Sequence, residues 1–324
     1  MFALRRVERW PRVRAAKSLL AGLIAACALV VPTLTFAANS CTVAAATHAF
    51  GAYDTINPKS GTSSITVTCT HSANPAVTFN YSVALSSGSG SYAARQMTGG
   101  GDTLNFNHYT ALAHTTVWGD GTSGTATISG SFTVGSGSNN SGSQIQTVYG
   151  LIGGAQNVTP AALYTTVLPI TVTLNCSSCS APGISTTTFN TTASVAAQCN
   201  VSAANLSFGA VNPLSTQVDA AANLTVDCTK NSVYTVGLDA GVTTGATIAQ
   251  RLMVTGADTM KYNLYTDSAR LTVWGNSAGS WVTGTGAGLA IAQTLPVYGR
   301  VASGQVNLAV GNYQENTITV TVTY

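Results

Sequence analysis

Catalysis or metal binding needs a few side-chain types at workable spacings. The candidates here are four histidines, the nine carboxylates that follow residue 37 and one close pair of cysteines. The histidines are His48, His71, His108 and His114. No HExxH run or Cys/His ladder accompanies them, so the spacing builds no zinc site, and they read as polar surface or loop groups. Beyond residue 37 the carboxylates are Glu315 and eight aspartates. Hydrolysis by paired carboxylates requires two acids facing one cleft. Asp227 and Asp239 fall in or beside strand-like runs, but the pattern gives neither a partner. No Gly-x-Ser-x-Gly elbow stands with a histidine and an acid behind it. The glycine-rich run Gly150-Leu151-Ile152-Gly153-Gly154 lacks a following helix or Lys-Ser, so it reads as a strand end rather than a phosphate loop. Cys176-Ser177-Ser178-Cys179 has redox spacing, yet a Ser-Ala-Pro-Gly stretch follows it and no second CxxC supplies four thiolates. A structural disulfide is the expectation. The residues thus predict no enzyme, no cofactor and no metal site.

The elements available to position side chains are strands. Only 7% of the 324 residues are charged and 45% are hydrophobic, with 32 glycines and abundant threonine and valine. That composition is too apolar for a disordered chain and too poor in Glu, Lys, Arg and Leu for a helical one. Threonine and valine favour strands, while Gly, Ser and Asn supply turns. The first 37 residues read as a secretory signal peptide. Arg5, Arg6, Arg9, Arg12, Arg14 and Lys17 precede an apolar core from Leu19 to Leu34, and Thr35-Phe36-Ala37 offers small residues for cleavage. Removing this segment leaves 7 Lys+Arg against 9 Asp+Glu, a formal net charge of −2. No basic patch remains for a phosphate backbone, so nucleic acid is excluded as a partner.

An internal repeat organises the remainder. Cys41 stands nine residues before Phe50-Gly51, and Cys199 stands nine before Phe208-Gly209. Strand-like runs ending in Cys69 and Cys228 follow. Arg95-Gln96-Met97 recurs as Arg251-Leu252-Met253, and Phe106-Asn107-His108-Tyr109 as Tyr262-Asn263-Leu264-Tyr265. Val117-Trp118-Gly119 recurs as Val273-Trp274-Gly275, and Val148-Tyr149-Gly150 as Val297-Tyr298-Gly299. So many ordered matches identify a tandem duplication of one fold. The repeat pairs Cys41 with Cys69 and Cys199 with Cys228, leaving Cys176 and Cys179 for each other. Recurrence of Trp118, Trp274, Tyr149 and Tyr298 at matching sites points to core packing rather than ligand stacking; Trp281 has no counterpart and is expected at the surface.

Strict alternation marks the C-terminal strand, where Ile318, Val320, Val322 and Tyr324 share one face. Other strand candidates are 79–85, 125–134, 189–197, 234–238, 260–265 and 296–301. No segment offers a long amphipathic helix. The expectation is an all-β chain with two sandwiches of short antiparallel strands. Its division is a signal peptide over 1–37, a first domain over 38–176, a linker over 177–184 and a second domain over 185–324. The second domain is expected to open with a strand whose face carries Phe189, Thr191, Ala193, Val195 and Ala197.

These residues resemble two tandem copies of the spore coat U domain, the pilin-type domain of archaic chaperone–usher pili. The second copy carries the fuller set: Cys199 with Phe208-Gly209, Val226-Asp227-Cys228, Tyr234–Leu238, Arg251-Leu252-Met253, Met260–Tyr265, Trp274-Gly275, Val297-Tyr298-Gly299 and Gly311-Asn312-Tyr313. The first copy departs at its start and in Thr159–Tyr164. The resemblance implies immunoglobulin-like sandwiches missing one strand, whose groove is filled by a periplasmic chaperone and then by a donor strand from the adjacent pilin after passage to an outer-membrane usher. It implies that Ile318, Val320, Val322 and Tyr324 border such a groove in the second domain. Cleavage after Ala37 would leave only Ala38-Asn39-Ser40 ahead of Cys41, too short to donate. The chain is therefore expected at a pilus tip on the cell surface, attaching cells to abiotic or host surfaces and supporting biofilm. The expected contact is an uncharged loop at the outer end of the first domain with Val158, Pro160, Leu163 and Tyr164; Ala111–His114 is a second candidate. An internal or adaptor pilin, or a secreted coat or carbohydrate-binding protein, are the alternative readings.

Overall fold

The computed structural model describes residues 39–71, 75–137, 140–175, 184–212 and 215–324, and among them there is no helix. The expected signal peptide, the Cys176–Cys179 pair and the linker as far as residue 183 lie outside the described residues. Ten strands surround one core: β1 (Ser40–Ala45), β2 (His48–Ala52), β3 (Lys59–His71), β4 (Val77–Leu85), β5 (Arg95–Gly99), β6 (Asp102–Tyr109), β7 (Ile128–Val134), β8 (Asn140–Ile152), β9 (Ala161–Asn175) and β10 (Ile184–Val195). Eight surround a second core: β11 (Cys199–Ala203), β12 (Val218–Cys228), β13 (Val233–Leu238), β14 (Arg251–Thr255), β15 (Asp258–Tyr265), β16 (Val282–Thr285), β17 (Gln293–Val301) and β18 (Val320–Thr323). Alternation sets each buried face. In β4, Val77, Phe79, Tyr81, Val83 and Leu85 are buried, while the residues between them are exposed or half-buried.

The duplication holds at the level of register. One sheet runs β1-β3-β8-β6-β5 in the first half and β11-β12-β17-β15-β14 in the second. Cys41 sits opposite Cys69 and Cys199 opposite Cys228, and both pairs are disulfide-bonded as the repeat indicated. His108 faces Gly150 where Leu264 faces Gly299. The facing strands also correspond: β7 and β9 flank β4 as β16 and β18 flank β13. The indole of Trp118 donates to the Val83 carbonyl at 2.8 Å, and that of Trp274 donates to Val236 at 2.8 Å. With Val172 opposite Val83 and Val322 opposite Val236, the strand registers align Leu168, Ile170 and Val172 with Ile318, Val320 and Val322.

The halves differ at one strand. β10 pairs antiparallel with β9 from Ile184 opposite Thr173 to Val195 opposite Ala161, and parallel with β2. Its inward residues Phe189, Thr191, Ala193 and Val195 are buried in the first core. The strand expected to open the second sandwich therefore completes the first. Alternation along 189–195 fixes which side chains are buried, but the core that buries them depends on a non-local pairing. No described strand fills the corresponding place beside β18, so the second sandwich lacks one strand, as expected.

Candidate functional site

The vacant place is an open groove of about 1290 Å³. It is lined by the buried Leu224, Met260, Tyr262, Leu264 and Val297 and by the half-buried Leu206, Phe208, Leu308, Tyr313, Ile318 and Val320. The same positions in the first sandwich show what the groove lacks. His48, Phe50, Met97, Tyr164, Leu168 and Ile170 are all buried there. Their counterparts Leu206, Phe208, Met253, Tyr313, Ile318 and Val320 are only half-buried. β10 accounts for the difference, since it lies between β9 and β2 and covers those side chains. A row of apolar residues that packs on the core while still facing water is a surface awaiting a partner. β18 meanwhile has β13 on one side and no described strand on the other, so backbone N–H and C=O groups are offered along that edge.

Of the residues expected to border this groove, Ile318 and Val320 line it, Val322 packs on the core below it, and Tyr324 is exposed outside its lining. Glu315 lies at the rim, where burial raises its carboxyl pKa. Hydrogen bonds from the Thr243 hydroxyl (2.6 Å) and from the amides of Thr317, Val242 and Thr243 outweigh that and hold it below its usual value. It is thus a structural acceptor joining two loops. Asp239 likewise accepts from the amides of Gly241 and Thr319, and Asp227 from the Ala290 amide, so both also act as structural acceptors.

The loop expected at the outer end of the first domain lies elsewhere. Val158 and Tyr164 are buried, Pro160 is half-buried, and only Leu163, at 54% exposure, is open to water. The Tyr164 hydroxyl donates to the Thr159 carbonyl at 2.6 Å. Thr159 donates through its amide and hydroxyl to Asp102, which also receives Lys230 of the second sandwich at 2.8 Å. That hydrogen bond from Lys230, followed by those from Thr159, holds the Asp102 carboxyl below its usual pKa. Asn231 donates to the Thr159 hydroxyl, and Asn157 to the Ala287 carbonyl. The loop is a junction between the sandwiches, which corrects the expectation of an outward contact. The cause is β10: by running back along β9 it delivers the second sandwich to the pole where β9 begins.

The histidines also depart from the reading as surface groups. His48, His71 and His108 are buried, and the tilted rings of His48 and His108 pack together in the first core with centroids 4.9 Å apart. His108 Nε2 lies 2.9 Å from the Thr191 hydroxyl of β10. Burial lowers the pKa of His48 to about 4; burial, then the His48 and Arg95 charges, lower that of His108 well below its usual value. Both rings are therefore neutral at pH 7. His71 is held between the Asn39 side chain and the Pro75 carbonyl. Among the described residues no three His, Cys, Asp or Glu side chains come close enough to hold a metal ion. The signal for the buried pair was present in the repeat, because His48 and His108 occupy the positions of Leu206 and Leu264.

The recurring arginines explain another part of the repeat. Arg95 is buried and donates to Asn107 Oδ1 (2.5 Å) and to the carbonyls of Trp118 (2.6 Å) and Ser86 (2.9 Å). Arg251 makes the same bonds to Asn263, Trp274 and Asp239. Burial lowers the Arg95 pKa to about 10, so it remains charged at neutral pH, its charge dispersed over neutral oxygens. The Arg, Asn and Trp of each copy thus form one network tying the two sheets together. Trp118 and Trp274 are core residues, whereas Tyr149 and Tyr298 are only half-buried, and Trp281 is exposed.

Comparison with known proteins follows the same division. A model of the Spore Coat Protein U domain matches residues 26–171 and 185–323. Protein U of Myxococcus xanthus is 30% identical over 155 residues, which span 43% of this chain and 84% of that protein. A chain from the CsuC–CsuE chaperone–tip adhesion subunit pre-assembly complex of the archaic chaperone–usher Csu pili of Acinetobacter baumannii superposes with a TM-score of 0.51. It is 14% identical, and the alignment covers 88% of this chain and 100% of that one, a likeness of fold. The second family match begins at 185, so β10 belongs to the second copy by sequence and to the first sandwich in space.

Proposed function

This chain belongs to the Spore Coat Protein U domain family, with two copies in tandem, and from that membership we propose that it is a non-catalytic tip subunit of an archaic chaperone–usher pilus. The observation that carries the reading is the unequal state of the two grooves. A strand belonging to the second copy by sequence fills the first copy's groove, and the second copy's groove stays open. The filled first groove supports donor-strand complementation as the way the open groove is occupied, and β10 is the guide to what would fit it. The occupant is an extended segment with alternating apolar side chains, running antiparallel to the chain around Ile318–Val320. A periplasmic chaperone would hold that place before assembly at the outer-membrane usher, and the donor strand of the adjacent pilin afterwards.

The adhesive half of the proposal rests with the first sandwich. Because the 153–164 loop meets the second sandwich, contact with an abiotic or host surface falls to the opposite pole. There β3 and β8 meet at His71 and Asn140, β4 and β7 meet at Val77 and Val134, and Ile184 enters 67% exposed. The connecting sequences 72–76, 135–139 and 176–183 carry no charged residue. Sequences without charge avoid the large cost of desolvating an ion, exposed Ile184 offers apolar area, and many fibres would add weak contacts through avidity to support biofilm.

A photoreactive residue in place of Leu308, on the groove wall, tests the reading in living cells. The expected products are a crosslink to the pilus chaperone in the periplasm and, in surface fibres, one to the segment ahead of the first cysteine of another pilin. Absence of both, with the same residue in place of exposed Leu112 as control, would overturn it.

A further inference from the structure

The two grooves of this chain are not chemically alike. Seven residues after the first cysteine of each copy stands His48 in one and Leu206 in the other; opposite the glycine of β8 or β17 stands His108 in one and Leu264 in the other. In the filled groove, β10 sets Thr191 beside His48 in register and within hydrogen-bond reach of His108, at 2.9 Å. All three residues are fully buried, and Phe189 of the same strand packs on His108 with ring centroids 4.9 Å apart.

We infer that these positions are a selectivity key: the first groove takes a strand with a hydroxyl at its central inward position, and the second takes a strand with a large aliphatic side chain there. The argument is one of satisfied and unsatisfied groups. The His48 ring nitrogens have no partner among the described residues, so the discrimination falls on His108: an aliphatic residue at 191 would leave its buried Nε2 unpaired as well, and a buried polar group without a partner weakens an assembly by about ten- to a hundredfold. The reverse mismatch is equally unfavourable, because a threonine hydroxyl set against Leu206 and Leu264 would be buried among carbon atoms. The chain's own strand 184–195 is therefore matched to its own first groove and mismatched to the second groove of a neighbouring copy. Specificity of this kind works by penalising the wrong partner. It keeps copies of the chain from linking to one another and reserves the open groove for a strand from a different subunit. This rests on the proposal that the second groove accepts a donor strand.

Two measurements on the full chain test it. In the first, synthetic peptides spanning 184–196, one native and one with Thr191→Leu, are titrated onto the chain, whose first groove is already occupied. The Thr191→Leu peptide is expected to bind at least tenfold more tightly, and Leu264→His in the chain is expected to reverse the order. Equal binding of the two peptides overturns the key while leaving the groove as an acceptor; no binding of either overturns the acceptor reading and this inference with it. The second measurement reads the first groove alone by hydrogen exchange. Thr191→Val is expected to speed exchange in β9 and β2 at least tenfold, and adding His108→Leu to return it to the native rate. If the single and double variants exchange alike, the His108–Thr191 contact does not discriminate and the key is refuted.

Discussion

Lowering the pH from 7 to 5 should weaken the first sandwich and leave the second unchanged. All four histidines lie in the first, and His48 and His108 are buried neutral in its core. Unfolding releases them to water, where an imidazole titrates near 6.5. Above that value neither state is protonated and the pair has no effect on stability. As pH falls through 6.5 the unfolded chain takes up protons that the folded core refuses, so stability is lost at about 1.4 kcal/mol per pH unit for each such histidine. For His48, whose folded pKa lies at about 4, the loss reaches roughly 2 kcal/mol at pH 5. His108 adds to it in the same direction, because its pKa is lowered too. The shifted carboxylates Asp54, Asp102, Asp120, Asp219, Asp239, Asp267 and Glu315 all have folded pKa values below their usual ones, so they begin to cost stability only nearer pH 4. The window from 7 to 5 therefore isolates the histidines. Scanning calorimetry at both pH values should show one transition falling while the other holds, and the His48→Leu, His108→Leu double variant should flatten the response. Equal movement of both transitions, or a double variant that keeps the pH dependence, would refute the assignment of two neutral buried imidazoles.

Three further outcomes follow from the packing. Phe189→Ala removes a fully buried ring that packs at a tilt against Trp118 and His108, and should cost the first sandwich about 3–5 kcal/mol in urea unfolding with the second transition unmoved. Arg95→Met leaves Asn107 and the Trp118 and Ser86 carbonyls without their donor and should cost more than about 3 kcal/mol. Arg95→Lys should not rescue it, since one ammonium cannot span all three oxygens. Replacing Cys41 and Cys69 together opens a loop spanning 28 residues and should lower the first transition by about 3 kcal/mol under oxidising conditions, with no effect under reduction.

Much of the fold was legible because strands announce themselves locally. The alternation of Val77, Phe79, Tyr81, Val83 and Leu85 gives β4 and its buried face without any partner, and the repeated Cys-to-Phe-Gly spacing gives both disulfides. The partner of a strand is a different matter. Phe189, Thr191, Ala193 and Val195 declare a packed face, but choosing between the preceding and following cores depends on which has a vacant groove, and that is a property of the assembled sheets. Once β10 is placed in the first sandwich, the chain's course reverses and carries the 153–164 loop from an expected outer pole to the junction with Lys230 and Asn231. The buried histidines were obscured by residue type, since histidine in a polar, threonine-rich strand reads as solvent-facing. Their alignment with Leu206 and Leu264 was the available sign.

The proposal that binds these observations is that this chain would receive a donor strand and end a fibre. Immunogold electron microscopy of cells, with antibody against residues 39–175, reads this directly. Gold confined to fibre ends is the result the proposal expects, because the second groove is open and the first is already filled from within. Gold distributed along the shaft would contradict it, since a subunit inside the polymer must also donate a strand of its own.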